Sequence, residues 1–233
     1  MPLASVIMPT YNRRPFIAAS IKMFTNQTFR DAELIILDDG DERITDLIPN
    51  NHRIRYYKEP RFFSLGEKHN RLAELSNGEY ILHWGDDDYH APWRLAYQIG
   101  ILDQLGIDMT APRYVPRIDA GRKKAWFEKY ENFALSGGCL AYRKTLWERC
   151  KYRNTNFGED ASFITDQEEL GCRIDTESDY RFHIHRVHPG NTAMGKVFEL
   201  ESRWEVPFEE MVKAIGPDYE AYFCGPLGMP KDE

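Results

Sequence analysis

Tyr80-Ile81-Leu82-His83-Trp84-Gly85-Asp86-Asp87-Asp88 is the stretch that decides how this chain folds. Its first five residues have the length and composition of a buried strand. Pro92 follows shortly after and suits the first turn of a helix, so the three aspartates sit where a strand ends. Adjacent anionic side chains repel one another, and at a strand's carboxyl edge that repulsion is tolerable mainly when a cation is shared between them. The alternative is a solvated acidic turn or a helix cap, and the surrounding chain has to decide.

Upstream, Ala4-Ser5-Val6-Ile7-Met8 reads as an apolar strand running into the turn-forming segment Pro9-Thr10-Tyr11-Asn12. Pro15 fits the start of a helix on which Ile17, Ile21 and Phe24 share a face. Glu33-Leu34-Ile35-Ile36-Leu37 is a second buried strand, and it too ends in acid, at Asp38-Asp39-Gly40. A shorter strand, Arg53-Ile54-Arg55-Tyr56-Tyr57, and a helix over about residues 65–75 lead through Asn77-Gly78 into the strand before the triplet. This alternation predicts an α/β fold with a mostly parallel, Rossmann-like sheet flanked by helices, whose ligands bind outside the carboxyl ends of the strands. The segments from Pro9, from Asp38 and from Asp86 then meet at one rim, which favours a functional triplet over a solvated turn.

After the helix near Pro92 the pattern is less regular. Residues 109–116 are expected to form a strand, and 117–132 are polar and aromatic. The run from Ala134 through Ser136, Gly137 and Gly138 to Tyr142 reads as a strand interrupted by glycines, which permit a bulge or the close approach of a ligand. Phe157-Gly158-Glu159-Asp160 opens a helix with acid in its first turn, where charge also favours the helix dipole. Residues 180–187 have strand character and run into His188-Pro189-Gly190-Asn191-Thr192, and the tail from Gly195 contains amphipathic pieces. Strand alternation puts His183 and His185 on one face and His188 on the other. No carboxylate or cysteine stands at a spacing that completes a zinc site with them, so His183 and His185 are assigned a structural role.

Composition bounds the rest. The chain has 233 residues, four cysteines without metal-ligand or disulfide-framework spacing, and a formal charge of -7. No segment reaches the ~18 apolar residues of a membrane span. The amino terminus shows no basic region followed by a cleavable apolar core, so a cytoplasmic location is expected. The acidic balance gives no general attraction for nucleic acid or anionic membrane, although Arg122-Lys123-Lys124 is a local basic patch.

Taken in order, these segments resemble the family 2 glycosyltransferases of the GT-A fold. The resemblance covers most of the first 115 residues: Val6 to Arg13 resembles the family's opening strand, Glu33 to Gly40 its second, and Gly66-Glu67-Lys68-His69-Asn70 with Asn77 to Ile81 the helix and strand before the metal motif. Asp86-Asp87-Asp88 stands where the family has its Asp-x-Asp signature, although Gly85 occupies a position where many relatives have aspartate. The resemblance implies that Pro9, Thr10 and Tyr11 line the nucleobase site, with Tyr11 stacking on the base, and that Asp39 contacts base or ribose. Asp86 would hold the ribose or a metal-bound water. Asp87, with Asp88 as second choice, would ligate Mn²⁺ or Mg²⁺ on the diphosphate, and His188 would add a metal or diphosphate contact. Lys68 and His69 stand where relatives carry basic residues near the diphosphate; the alternative is a surface position on an ordinary helix. Glu159-Asp160 resembles the paired acids of the acceptor side, with Asp160 as general base of an inverting reaction.

The expected activity is therefore transfer of a sugar from a nucleotide sugar, by family frequency a UDP-sugar, to an acceptor hydroxyl. The expected layout is a single domain over 1–233, with a donor half (1–112), a smaller acceptor half (113–194) and a helical tail (195–233). One alternative is a sugar-1-phosphate nucleotidyltransferase, but Pro9-Thr10-Tyr11-Asn12-Arg13 is not the glycine-rich basic loop such enzymes carry after their first strand. Another is a non-catalytic nucleotide-sugar-binding module, against which the retained Asp160 argues. The acceptor, whether glycan, lipid-linked sugar, protein or modified nucleic-acid base, and the oligomeric state are open; residues 113–130 are the candidate acceptor surface.

Overall fold

Uninterrupted apolar runs belong in strands covered on both faces, and the first two strands, β1 (Ala4–Thr10) and β2 (Ala32–Asp38), are buried along almost their whole length. The computed structural model describes residues 1–62, 64–129, 137–176, 180–191, 202–217, 219 and 222. Between β1 and β2 lies α1 (Arg14–Thr25), with Pro15 in its first turn and Phe16, Ile17, Ile21 and Phe24 buried. β3 (Ile54–Lys58), α2 (Leu65–Leu75) and β4 (Tyr80–His83) complete the alternating half. Ser64 caps α2 by accepting the Glu67 amide at 3.0 Å, one of the orphan donors a helix start leaves open.

The triplet is followed at once by β5 (Tyr89–His90) and then by α3 (Arg94–Gln104), just past Pro92. The expected strand over 109–116 is two elements in two different sheets, β6 (Met109–Thr110) and β7 (Tyr114–Asp119). The polar aromatic stretch after it forms a hairpin of β7 with β8 (Lys124–Lys129). Ala134, Leu135, Ser136 and the rest of 130–136 lie outside the described residues. Gly137–Cys139 form a single tight turn, and the strand proper is the short β9 (Ala141–Arg143). Next come α4 (Lys144–Arg149), α5 (Glu159–Glu169) and β10 (Ile174–Asp175). Residues 180–182 are a turn, so the histidine strand β11 spans only His183–Arg186. β12 (Ser202–Val206) and α6 (Phe208–Ile215) are the described elements of the tail, whereas Thr192 and most of the tail's remainder, Cys224 included, lie outside.

The central sheet has the order β10-β6-β9-β4-β1-β2-β3, parallel except where β9 runs against β4 and β6. This is the mostly parallel, helix-flanked sheet expected. One face packs Val6, Met8, Leu34 and Ile36 against α1 and α3; the other packs Ile7, Ile35, Leu37 and Ile81 against Leu72 of α2 and Phe163 of α5. A second sheet, β12-β8-β7-β11-β5, was not expected. Through the pairing His183↔His90 and Ile184↔Tyr89, it ties the histidine strand to the residues immediately after the triplet.

Candidate functional site

Three strand ends converge as the alternating pattern requires. At the end of β1, Thr10 Oγ1 donates to Asp86 Oδ2 at 2.6 Å, and the Thr10 carbonyl accepts from Lys68 Nζ at 2.6 Å. At the end of β2, Asp39 is buried and accepts from Lys68 Nζ (2.5 Å), Arg61 Nη1 (3.0 Å) and the Phe62 amide (3.1 Å). Burial alone would raise the Asp39 pKa, but hydrogen bonding to Lys68 and the charges of Lys68 and Arg61 outweigh it and hold the carboxyl below its usual range. Lys68 and His69 are both buried, which rules out the surface-helix alternative for them. Tyr11 remains exposed, with the Arg61 guanidinium 3.7 Å from its ring centre. Pro9 is half-buried beside it.

In the triplet the three carboxylates have different surroundings. Asp86 meets Thr10, and burial together with the neighbouring Asp87 charge raises its pKa to about 7. Asp87 Oδ2 faces His188 Nε2 at 3.0 Å, Asn191 Nδ2 at 3.3 Å and Arg13 Nη1 at 3.6 Å. The Gly190 amide at 3.2 Å from His188 Nδ1, together with the Phe16 ring, fixes the imidazole so that Nε2 points at Asp87. Asp88 turns the other way: Oδ2 lies 2.9 Å from His183 Nε2, while Oδ1 lies 3.0 Å from His185 Nδ1 and accepts the Arg186 amide at 3.1 Å. The expected same-face placement of His183 and His185 thus serves one carboxylate. Behind the turn, fully buried Arg94 donates to the His83 carbonyl and contacts His90 Nδ1, both at 2.6 Å, and His90 Nε2 reaches the Gly85 carbonyl.

The Asp88–His183 pair has a pH signature. Burial would lower the His183 pKa, but the Asp88 carboxylate outweighs it and raises it to about 9; the two histidines in turn overcome burial and hold Asp88 well below its ordinary value of 3.8. A raised histidine contributes stability that is complete below its unfolded pKa and is lost as pH rises through the folded one. The melting temperature of the metal-free protein is therefore expected to fall by a few degrees between pH 6.5 and about 9. His183→Gln should flatten that part of the profile. On the acid side, the Asp88 contribution, present above 3.8, is lost as pH drops through its lowered value.

Asp160 lies in the first turn of α5, half-buried, with Oδ1 accepting the Ala161 amide at 2.7 Å. Burial raises its pKa, against the lowering effect of backbone amides that include Gly137. A Cβ on Gly137 would fall 1.7 Å from Asp160 Oδ2, and one on Gly138 would sit 3.6 Å from Asp88 Oδ2. Consecutive Cα atoms are about 3.8 Å apart, so these two glycines seat the acid of α5 and the acidic triplet side by side. Glu159 is buried next to His69, with Oε1 3.8 Å from Nδ1. His69 stacks on His83, whose Nε2 meets Tyr152 OH at 2.8 Å. Burial first, then neighbouring charge, keeps both imidazoles neutral, His83 down to about 3.

Sequence inspection missed Arg61, Arg13 and Asn191 as members of this crevice. Nothing in their local pattern distinguishes them from surface loop residues, and only the register of the strands brings them in. The Gly137-Gly138 pair did carry a visible signal. Among the described residues there is no group of three or more His, Cys, Asp or Glu side chains that could hold a metal ion. The zinc alternative accordingly gains nothing from the structure.

The glycosyl transferase family 2 profile matches residues 5–184. The chain belongs to glycosyl transferase family 2. Over 235 aligned positions it is 30% identical to an uncharacterized glycosyltransferase of Rickettsia typhi, covering 91% of this chain and 73% of the relative. Its fold superposes on the crystal structure of residues 1-349 of S. aureus TarS in complex with UDP-GlcNAc, with a TM-score of 0.67 at 18% identity, covering 92% of this chain and 64% of that one. It also superposes on the mannosyltransferase PcManGT of Pyrobaculum calidifontis in complex with GDP-Man and Mn²⁺, with a TM-score of 0.63 at 17% identity, covering 77% and 55%. The match spans only 48% and 30% of two other curated relatives, from Haemophilus influenzae and Campylobacter jejuni. This family 2 transferase therefore has the GT-A fold, and none of its described helices is long and apolar enough to cross a membrane.

Proposed function

We propose that this chain is a metal-dependent, inverting transferase that moves a sugar from a nucleotide sugar, a UDP-sugar, to an acceptor hydroxyl, with Asp160 as general base. The observation that carries this reading is the glycine pair: Gly137 abuts Asp160 and the next residue, Gly138, abuts Asp88, which seats the acid of α5 beside the turn that carries the triplet, at the carboxyl rim of the sheet. Exposed Tyr11, with Pro9 and Thr10, offers a stacking platform for the base. Asp39, kept ionised by Lys68, is an acceptor for a base or ribose N–H or O–H. Asp86, oriented by Thr10, faces the ribose. Lys68 acts here by holding Asp39 rather than by reaching the diphosphate itself.

The spacing of the donors fits the ion, with His188 Nε2 free to ligate once the ring proton sits on Nδ1 and the Gly190 amide contact there is given up. Octahedral coordination at ~2.1 Å separates neighbouring ligands by about 3 Å, and Asp87 Oδ2 lies 3.0 Å from His188 Nε2. A carboxylate plus an imidazole, completed by phosphate oxygens, suits Mn²⁺ or Mg²⁺. When bound there, the cation would neutralise charge developing on the leaving nucleoside diphosphate. The chain's own part is to hold Asp87 and His188 together, to position the donor through Tyr11, Asp39 and Asp86, and to take the acceptor proton at Asp160 as the new glycosidic bond forms. Residues 1–112 would serve the donor, and 113–194 would shape the acceptor side.

The test is calorimetric titration of UDP and GDP with and without Mn²⁺. UDP is expected to bind more tightly with the ion, and Asp87→Asn should remove about tenfold of affinity while leaving ion-free binding nearly unchanged. A wild-type affinity indifferent to Mn²⁺ would sink the metal-dependent reading.

A further inference from the structure

We infer that Asp88 is a positioning residue: it pins β11 to the acidic turn so that the His188-to-Asn191 turn reaches Asp87, and it does not itself ligate the ion. The inference rests on the proposed metal role of Asp87 and His188. Both Asp88 oxygens already have partners in the protein, His183 Nε2 at 2.9 Å on one and His185 Nδ1 at 3.0 Å with the Arg186 amide at 3.1 Å on the other. The side chain is buried, and its Oδ2 lies 2.5 Å from where a Cβ on residue 85 would project. Glycine at 85 thus makes room for a carboxylate folded back onto the strand rather than out toward the crevice.

The consequence runs along β11. Its pairing with β5 covers only two positions, His183↔His90 and Ile184↔Tyr89, and its pairing with β7 two more, His185↔Arg117 and Arg186↔Ile118. So short a ladder leaves the strand's register weakly specified by its backbone bonds alone. Asp88 contributes contacts to three of the four residues of that strand. Directly beyond lie His188 and Asn191, the groups that meet Asp87. A carboxylate that fixes the strand therefore fixes the second ligand, much as outer partners orient the ligands of metal sites generally.

Two readouts on the full chain separate this role from ligation and from the metal reading itself. Hydrogen exchange of the metal-free protein reports the strut directly: Asp88→Asn should raise amide exchange across 183–191, and Asp87→Asn should leave exchange in 183–186 as in wild type. Manganese binding with UDP, followed by electron paramagnetic resonance, reports the site: Asp88→Asn should weaken Mn²⁺ about tenfold, and in a His183→Gln, His185→Gln background the same substitution should cost little more. Unchanged exchange in Asp88→Asn would overturn the inference, as would an Mn²⁺ loss equal to that of Asp87→Asn and undiminished in the histidine-substituted background. If wild type binds no Mn²⁺, the metal reading fails, and the exchange result still decides whether Asp88 holds the strand.

Discussion

Replacing Asp160 by asparagine is expected to lower kcat by about 10³-fold and to leave the affinity for the nucleotide sugar within about twofold, since a positioned general base contributes roughly 10²–10⁴ to such a step. The variant keeps the shape of the side chain and an oxygen to accept the Ala161 amide, which is 2.7 Å from Oδ1. It loses only the capacity to take a proton. The pH profile supplies the second check. Burial raises the Asp160 pKa above the ordinary carboxylate range, and a base works only when deprotonated, so kcat should rise with pH through that elevated value and then level off. Single-turnover measurements on preformed enzyme–donor complex separate this limb from donor binding. Transfer at the wild-type rate by Asp160→Asn would remove the general-base assignment.

The first half of the fold was legible because β1, β2 and β4 are built on apolar runs that end in polar residues, with only the shorter β3 mixed in character. Such runs are buried on both faces, and their periodicity is not confused with anything in the flanking helices. The same feature placed Thr10, Asp39 and Asp86 at one rim. The second sheet was not legible, for reasons that lie in its elements. β5 is two residues long and β11 four, too short for any clear periodicity, and β7 includes Pro116 although it lies inside the sheet between β8 and β11. Their identity as strands comes from partners far away in sequence. Arg117 and Glu128, for example, form an ion pair across the β7–β8 hairpin whose partners look like ordinary surface charges in isolation. The same limit applies to the acidic triplet. Sequence placed three carboxylates together, but the division of labour among them depends on which element each one faces: β1 for Asp86, the loop after β11 for Asp87, and β11 itself for Asp88.

Gly137→Ala should be nearly as damaging to transfer as loss of the base, although it touches no ionisable group. A Cβ at 137 would stand 1.7 Å from Asp160 Oδ2 and 2.3 Å from its Cβ, so neither a small rotation of the carboxylate nor a slight shift of its tip relieves the clash. Either α5 moves outward or the turn before β9 does, and each displaces the base from the hydroxyl it must reach. Overpacking of this kind costs about 1–3 kcal/mol of stability, and an ångström of misplacement at a reacting group can cost about 10²-fold in rate. The expected result is a kcat lowered about 10²-fold with donor affinity largely kept, in a protein that still folds but melts several degrees lower. Gly138→Ala is the internal control. Its added Cβ would meet Asp88 Oδ2 at 3.6 Å, an ordinary van der Waals contact, so it should leave stability and rate within a few-fold of wild type. If both alanine variants transferred sugar equally well, the crevice would not be built around Gly137, and the side-by-side seating of Asp160 and the triplet would lose its mechanistic meaning.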